Sequence, residues 1–191
     1  KYLCKFHKEY PNIAIQLFTD PSKVMRKMLK DGSLDILIAK EESCEDEDLE
    51  VQRVGTLHQC FIASEYFSEL KNRTIPLKDL DEYPILLQKT PSTTRESFDN
   101  FCKEHNIEIT TKLEIASATL LEDFVKIGLG VGLATREFAE KDIKEGSIFE
   151  VKTNPTIPSI PFALITLKNS FHSFGTNKLI DMILEDNKNK L

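Results

Sequence analysis

The stretch Val125-Lys-Ile-Gly-Leu-Gly-Val-Gly132 decides how the chain is interpreted, because its glycines lie between an apolar helix pattern and an apolar strand pattern. Dinucleotide-binding folds need the opposite order, since there a strand precedes the glycines and the N-terminus of the following helix holds the pyrophosphate. With the helix first, Gly128 is expected to end that helix, and the later glycines allow close backbone packing. The stretch therefore predicts a helix-to-strand unit rather than a nucleotide-binding loop.

The same alternation of helix and strand patterns extends outward from this stretch in both directions. Ile13, Ile15 and Leu17 alternate with polar residues, which predicts a half-buried strand. Further strands are predicted at 34–39, 84–87, 110–115 and 162–167, and helices near 93–105, 117–127 and 174–184. Alternating strands and helices predict an α/β fold in which helices cover the sheets.

Composition excludes several classes of protein. The chain has 191 residues, and its formal net charge of −6 is concentrated in residues 41–50, which hold seven acids and no base, so the remainder carries +1. A chain without a broad basic surface is not expected to bind nucleic acid. No apolar run approaches the roughly 20 residues of a membrane span, and the first residues lack the apolar core of a signal peptide. The expected location is cytoplasmic, with no membrane partner.

No catalytic, metal or cofactor motif is present in the sequence. The cysteines are widely spaced, so we expect reduced thiols rather than a zinc site. They are Cys4, Cys44, Cys60 and Cys102. No Gly-Lys-Ser/Thr follows a glycine loop, and no serine lies in a Gly-x-Ser-x-Gly turn. The sequence therefore predicts that the chain is not an enzyme and has no cofactor, and it leaves open a site assembled from distant residues.

Hydroxyl side chains are concentrated at two predicted helix starts. The first is Thr90-Pro-Ser-Thr-Thr-Arg95, and the second contains Ser117 and Thr119. Free N–H groups at a helix start favour anions, and hydroxyls add further donors. The alternative is that these residues only cap their helices, and Thr93 with Glu96 has the spacing of a capping box. The residues alone leave both interpretations open.

Four stretches, in order and at a family's usual spacing, carry a resemblance to a known family: Phe6–Ile13, Leu29–Ile36, Leu77–Ile85 and Val125–Gly132. Together they resemble the effector-binding domain of LysR-type transcriptional regulators over nearly the whole chain. This implies a periplasmic-binding-protein-like α/β fold of two lobes joined by two crossover strands. Lobe one is expected at 1–57 plus 164–191 and lobe two at 58–163, with a small effector between them. Free-standing solute-binding proteins of transport systems share this architecture and are the alternative.

The resemblance also implies site residues and partners. The implied effector-binding residues are Lys40, Thr90, Ser92, Thr93, Thr94, Ser117, Ala118 and Thr119. Lys40 and Arg95 favour an anionic metabolite. The implied partners are a second copy of the chain, paired through a surface near residues 12–30, and possible contact with RNA polymerase. Promoter DNA would be bound only through an N-terminal winged helix-turn-helix, which is expected to be absent from this chain together with the first strand of lobe one.

Overall fold

The structure is a computed structural model that describes residues 2–20, 22–41 and 46–188 of the chain. The chain divides into two compact units, Lys1–Thr56 with Pro161–Leu191 and Leu57–Ile160. In chain order the α-helices are α1 (Tyr2–Glu9), α2 (Ser22–Lys30), α3 (Thr93–Glu104), α4 (Ala118–Lys126), α5 (Arg136–Glu145) and α6 (Phe174–Lys188). The strands are β1 (Leu37–Lys40), β2 (Leu49–Leu57), β3 (Gln59–Ala63), β4 (Thr74–Pro76), β5 (Ile85–Gln88), β6 (Thr111–Ile115), β7 (Val131–Thr135), β8 (Phe149–Asn154) and β9 (Ile160–Leu167). The predicted α/β class is confirmed.

The first unit is built on a three-stranded sheet in the order β1-β9-β2. Successive residues of β9 point to opposite faces, so each face has its own core. Ala163 and Ile165 pack with Leu29 of α2, whereas Leu164 packs with Ile183 of α6. The central strand is therefore covered by a helix on both faces.

The strand predicted over Ile13, Ile15 and Leu17 is wrong. These residues are irregular, and Leu17 is 74% exposed. Apolar alternation is realised as a strand only when a neighbouring strand supplies hydrogen-bonding partners. Among the strands that the structure describes, none pairs with this segment. The alternating pattern therefore does not correspond to a strand in this structure.

The second unit is built on a six-stranded sheet in the order β4-β8-β3-β7-β5-β6. Phe61 of β3 contacts Phe98 of α3 edge to face, with ring centroids 5.5 Å apart, and belongs to the core on one face. On the other face Ile62 packs with Leu121 and Val125 of α4. Both faces are covered by helices, which explains why β3 and β7 are buried along their whole length.

The glycines of the 125–132 stretch act as the sequence predicts. Gly128 follows α4 with φ +81°, a conformation in which an L side chain is strained, and its N–H donates to the Val125 carbonyl at 2.9 Å. A Cβ on Gly132 would lie 2.6 Å from Leu121 Cδ2 and 2.7 Å from Val125 Cγ2. Gly132 therefore lets α4 approach β7 closely.

Three parallel strands place their carboxyl ends at one edge of the second sheet. β5 pairs in parallel with both β6 and β7, and α3, α4 and α5 follow these strands along the chain. β3 runs antiparallel to β7, with Gln59 opposite Thr135, so β3 begins at the edge where the other three strands end. The starts of three helices and the first residue of β3 therefore share this edge.

Candidate functional site

The two hydroxyl-rich loops are neighbours at the carboxyl edge of the second sheet. Gln88 of β5 is in register with Ile115 of β6, and the Lys89 N–H donates to the Ile115 carbonyl at 2.9 Å. Residues 90–94 and 117–119 follow directly. The structure therefore brings together seven of the eight residues that the resemblance implies for an effector site, and Lys40, the eighth, lies at the end of β1 in the first unit.

Ser92 caps α3, so the capping box expected from Thr93 and Glu96 is wrong by one residue. Ser92 has extended backbone angles, its carbonyl accepts from the Glu96 N–H at 2.8 Å, and its Oγ accepts from the Arg95 N–H at 3.5 Å. These are the properties of an N-cap. Ser92 Oγ also donates to Gln88 Oε1 at 2.5 Å. The Ser92 hydroxyl is consequently occupied by the protein, while Thr93 is the first helical residue.

The remaining hydroxyls are more accessible. Ser117 caps α4 by accepting from the Leu120 N–H at 3.3 Å. The hydroxyl-bearing side chains that are exposed are those of Thr90, Thr93, Ser117 and Thr119, whereas Thr94 and Ala118 are half-buried. The first-turn N–H groups of a helix have no acceptor within that helix, and the helix dipole adds partial positive charge there. Two such starts side by side can bind a carboxylate or phosphate through hydrogen bonds without a formal positive charge.

Arg95 does not provide a free cation for this edge. Its Nε donates to Asp99 Oδ1 at 2.8 Å, and its Nη1 donates to Glu114 Oε1 at 2.9 Å and to the Gln88 carbonyl at 3.2 Å. Burial lowers the pKa of Arg95, but the hydrogen bonds to these two carboxylates outweigh it, so the pKa is raised. The guanidinium therefore braces α3 against β6, and the expectation that Arg95 favours an anion is not supported.

Gln59 is a polar residue at this edge that the sequence reading missed. It is the first residue of β3, is 6% exposed, and donates from Nε2 to the Thr94 carbonyl at 2.8 Å. The other amide atom, Oε1, is buried and has no hydrogen-bond partner among the described residues. A glutamine at the start of an otherwise apolar strand was the available signal, but its partner is 35 residues away.

The first unit contains a groove of its own. An open groove of about 650 Å³ lies in the first unit, between α1 and residues 11–17, and contains none of the predicted effector-binding residues. Its lining includes Leu3, Ile13, Ile15 and Leu17. This apolar lining has few groups that could orient a polar metabolite, so the groove does not resemble a metabolite site.

The thiols of this chain are poor candidates for chemistry. Burial raises the pKa of Cys60 to about 12 and that of Cys102 to about 11, so both are protonated at neutral pH. Cys4, Cys60 and Cys102 are free, and Cys44 lies outside the described residues. Within the described ranges, no group of three or more His, Cys, Asp or Glu could hold a metal ion, and no helix is long and apolar enough to cross a membrane.

Comparisons with known proteins give a consistent result. The family model described as "LysR substrate binding domain" matches residues 2–188. A probable RuBisCO transcriptional regulator of Chlorokybus atmophyticus is 25% identical over 186 residues, covering 94% of this chain and 59% of that protein. The transcriptional activator CmpR of Synechocystis is 24% identical, covering 70% of this chain and 43% of that protein. The chain thus spans about half the length of these curated relatives.

Solved structures share the fold at low sequence identity. The regulatory domain of Synechocystis CcmR, solved in complex with 2-PG, has a TM-score of 0.85 at 19% identity, covering 98% of this chain and 90% of that one. The effector-binding domain of QuiR, solved in complex with shikimate, has a TM-score of 0.79 at 18% identity, covering 98% and 89%. Because its relatives are regulators, the free-standing solute-binding protein is the less favoured alternative. The match over residues 2–188 establishes that this chain belongs to the LysR substrate-binding domain family and has its periplasmic-binding-protein-like α/β fold.

Proposed function

We propose that this chain is the effector-sensing domain of a LysR-type transcriptional regulator and that it binds a small anionic metabolite without transforming it. The observation that carries the proposal is the pair of neighbouring helix starts, capped by Ser92 and Ser117, at the carboxyl edge of the second sheet. Ligands of open α/β sheets bind at this kind of edge. Two similar domains were solved with the small molecules 2-PG and shikimate, which supports a ligand of that size.

The proposed site combines donors from both lobes. Backbone N–H groups and hydroxyls of lobe two, residues 58–163, would hold the anion, and Lys40 of lobe one, residues 1–57 plus 164–191, would add a positive charge across the cleft between the lobes. The proposed contacts are those of Lys40, Thr90, Ser92, Thr93, Thr94, Ser117, Ala118 and Thr119. Because Ser92 Oγ already bonds Gln88, Ser92 would contribute by holding the start of α3 in place rather than by a side-chain hydrogen bond to the ligand.

Binding would act on transcription through a shift between conformations. An effector that touches both lobes favours the closed arrangement only by its difference in affinity for the two states. In the full regulator, an N-terminal winged helix-turn-helix would bind promoter DNA, and RNA polymerase is a further partner. A homodimer would form through the effector domain. The apolar groove beside residues 11–17, together with Leu17 and Phe18 at 74% and 42% exposure, supports a pairing surface near residues 12–30.

Isothermal titration of the purified domain with a panel of small carboxylates and phosphates tests this proposal. The panel includes shikimate, malate, succinate and 3-phosphoglycerate. Thr93→Val and Ser117→Ala should each lower the affinity for the tightest-binding ligand about fivefold or more, since each removes a hydrogen-bond donor worth about 1 kcal/mol. Thr74→Val, an exposed threonine on the opposite edge strand β4, is the matched control and should change nothing. Affinity unchanged in both site variants would rule out the assigned site.

A further inference from the structure

Gln59 has a hydrogen-bonding capacity that the described part of the chain does not use. Its side chain is buried at the edge where α3 and α4 begin, and Nε2 is held by the Thr94 carbonyl at 2.8 Å. Oε1 has no partner among the described residues. A buried acceptor without a donor costs free energy, so such groups in folded proteins are normally satisfied by another group or by water.

The orientation of the amide is fixed by its one hydrogen bond. A backbone carbonyl only accepts, so Gln59 must present its NH₂ group to Thr94, and a flipped amide would set two oxygens against each other. Oε1 is therefore the atom left without a partner, and only a donor can satisfy it. The neighbouring helix starts provide hydrogen-bond donors to a ligand, whereas Gln59 Oε1 is an acceptor and can bond only a donor group of the ligand.

Thr94 connects these two requirements. Its N–H lies in the first turn of α3, where it is available to an anion, while its carbonyl holds Gln59. A ligand whose anionic group accepted from the Thr94 N–H would therefore contact the residue whose carbonyl holds the Gln59 amide. The ligand that fits both features carries an acidic group and, a short distance away, a hydroxyl or ammonium donor.

We propose that Gln59 is a specificity-determining residue of the effector site and that its Oε1 accepts a hydrogen bond from a hydroxyl or ammonium group of the effector. The inference rests on the proposed function and sharpens it: the effector class is hydroxy or amino acids and hydroxylated phosphate esters, rather than plain dicarboxylates or unsubstituted anions. Sites built to bond a ligand hydroxyl discriminate against the analogue that lacks it, because their own polar group is then left unpaired.

Matched ligand pairs that differ by hydroxyl groups test the assignment by isothermal titration. The pairs are malate and succinate, 3-phosphoglycerate and 3-phosphooxypropionate, and shikimate and cyclohex-1-enecarboxylate. The wild-type domain should bind the hydroxylated member of at least one pair roughly tenfold more tightly. Gln59→Met, which keeps the length of the side chain and removes the amide, should reduce that preference to less than about twofold.

The preference ratio separates a specificity role from a structural one. Gln59→Met also removes the hydrogen bond to Thr94. Losing that bond alone would weaken the binding of both ligands of a pair equally, so a change in the ratio of their affinities reports on Oε1. Gln52→Met is the matched control, since Gln52 bonds Glu50 in the first unit, and it should keep the wild-type ratio. Thermal melting of each variant establishes that it is folded, and Gln59→Leu replaces Gln59→Met if the latter does not fold.

The outcomes distinguish the two levels of the argument. If anions bind without a preference for the hydroxyl, or with a preference that both Gln59 variants retain, the assignment of Gln59 is overturned and the proposed function stands. If no member of any pair binds at 10-mM concentrations (on the order of the weakest specific metabolite affinities), both the proposed anion sensor and the role of Gln59 are overturned.

Discussion

Replacing Gly132 by alanine tests the close packing of α4 on β7, which positions the start of α4. The new Cβ would lie 2.6 Å from Leu121 Cδ2 and 2.7 Å from Val125 Cγ2, well inside van der Waals contact. Leu121 and Val125 are 1% and 0% exposed, so neither can move into solvent. Overpacking of this kind costs about 1–3 kcal/mol, and for a chain of this length each kcal/mol lowers Tm by about 2–4 °C.

Combining Gly132→Ala with Leu121→Ala measures the energetic coupling between these two positions. Alone, Leu121→Ala should cost about 2–5 kcal/mol by leaving a cavity. Combined with Gly132→Ala, the shortened side chain removes the closest contact and the added methyl fills part of the cavity. The double variant should therefore be more stable than the sum of the single effects by about 1 kcal/mol or more.

Urea unfolding followed by far-UV circular dichroism measures all four proteins, since the chain has no tryptophan to serve as a fluorescent probe. Gly146→Ala is the control. Gly146 has a positive φ of +78°, which Gly132 does not, and an added Cβ there meets nothing within 4 Å. Gly146→Ala should therefore cost about 1 kcal/mol of backbone strain alone and show no coupling to Leu121→Ala. Additive effects of Gly132→Ala and Leu121→Ala would refute the packing argument.

Three further predictions concern Arg95, the thiols and the dimer. Arg95→Met should lower the free energy of unfolding by about 1–2 kcal/mol, because it removes the hydrogen bonds to Asp99 and Glu114, yet change effector affinity less than threefold; a tenfold loss in titration would restore Arg95 as an anion ligand. Above pH 9 an unfolded Cys60 thiol loses its proton while the folded one, with a pKa of about 12, keeps it, so stability should fall with rising pH by at most about 1.4 kcal/mol per unit. Cys60→Ala should flatten that slope in urea unfolding at pH 8–10.5, and an unchanged slope would contradict the burial of the thiol. Leu17→Glu, at an exposed position in the proposed pairing surface, should shift the domain from dimer to monomer in light scattering, whereas Ile127→Glu, which is also exposed but lies in the second unit, tests whether that unit takes part.

The sequence predicted those features of the fold that depend on local patterns. The helix-glycine-strand order at 125–132 correctly predicted α4, the helix end at Gly128 and the buried strand β7, because each depends on residues within one turn or one strand. The strand predicted around Ile15 was wrong because a strand depends on more than its local pattern. Its alternation satisfied the local rule, but a strand also requires a hydrogen-bonding neighbour, which local pattern does not supply.

The candidate site divides in the same way. The sequence located both helix starts to within one or two residues. It placed the α3 cap at Thr93 and the α4 start at Ser117 or Thr119, whereas the caps are Ser92 and Ser117. The hydrogen bonds of Arg95 could not be predicted from the sequence, because Glu114, one of the two carboxylates that hold it, belongs to a different strand. Gln59 was missed because its significance depends on Thr94, which the topology of the sheet brings beside it. The features of the candidate site that the sequence did not supply are thus pairings between distant residues.

The central claim is that a small anion binds at the two helix starts of the second unit, and amide chemical shifts test it most directly. A ¹⁵N-labelled sample of the 21.8-kDa domain would be titrated with the tightest ligand from the carboxylate and phosphate panel. The predicted result is that the largest saturable shifts fall on the backbone amides of Thr93, Thr94, Ala118 and Thr119 and on the side-chain amide of Gln59. Saturable shifts confined to other residues, such as those lining the groove beside residues 11–17, would contradict the account.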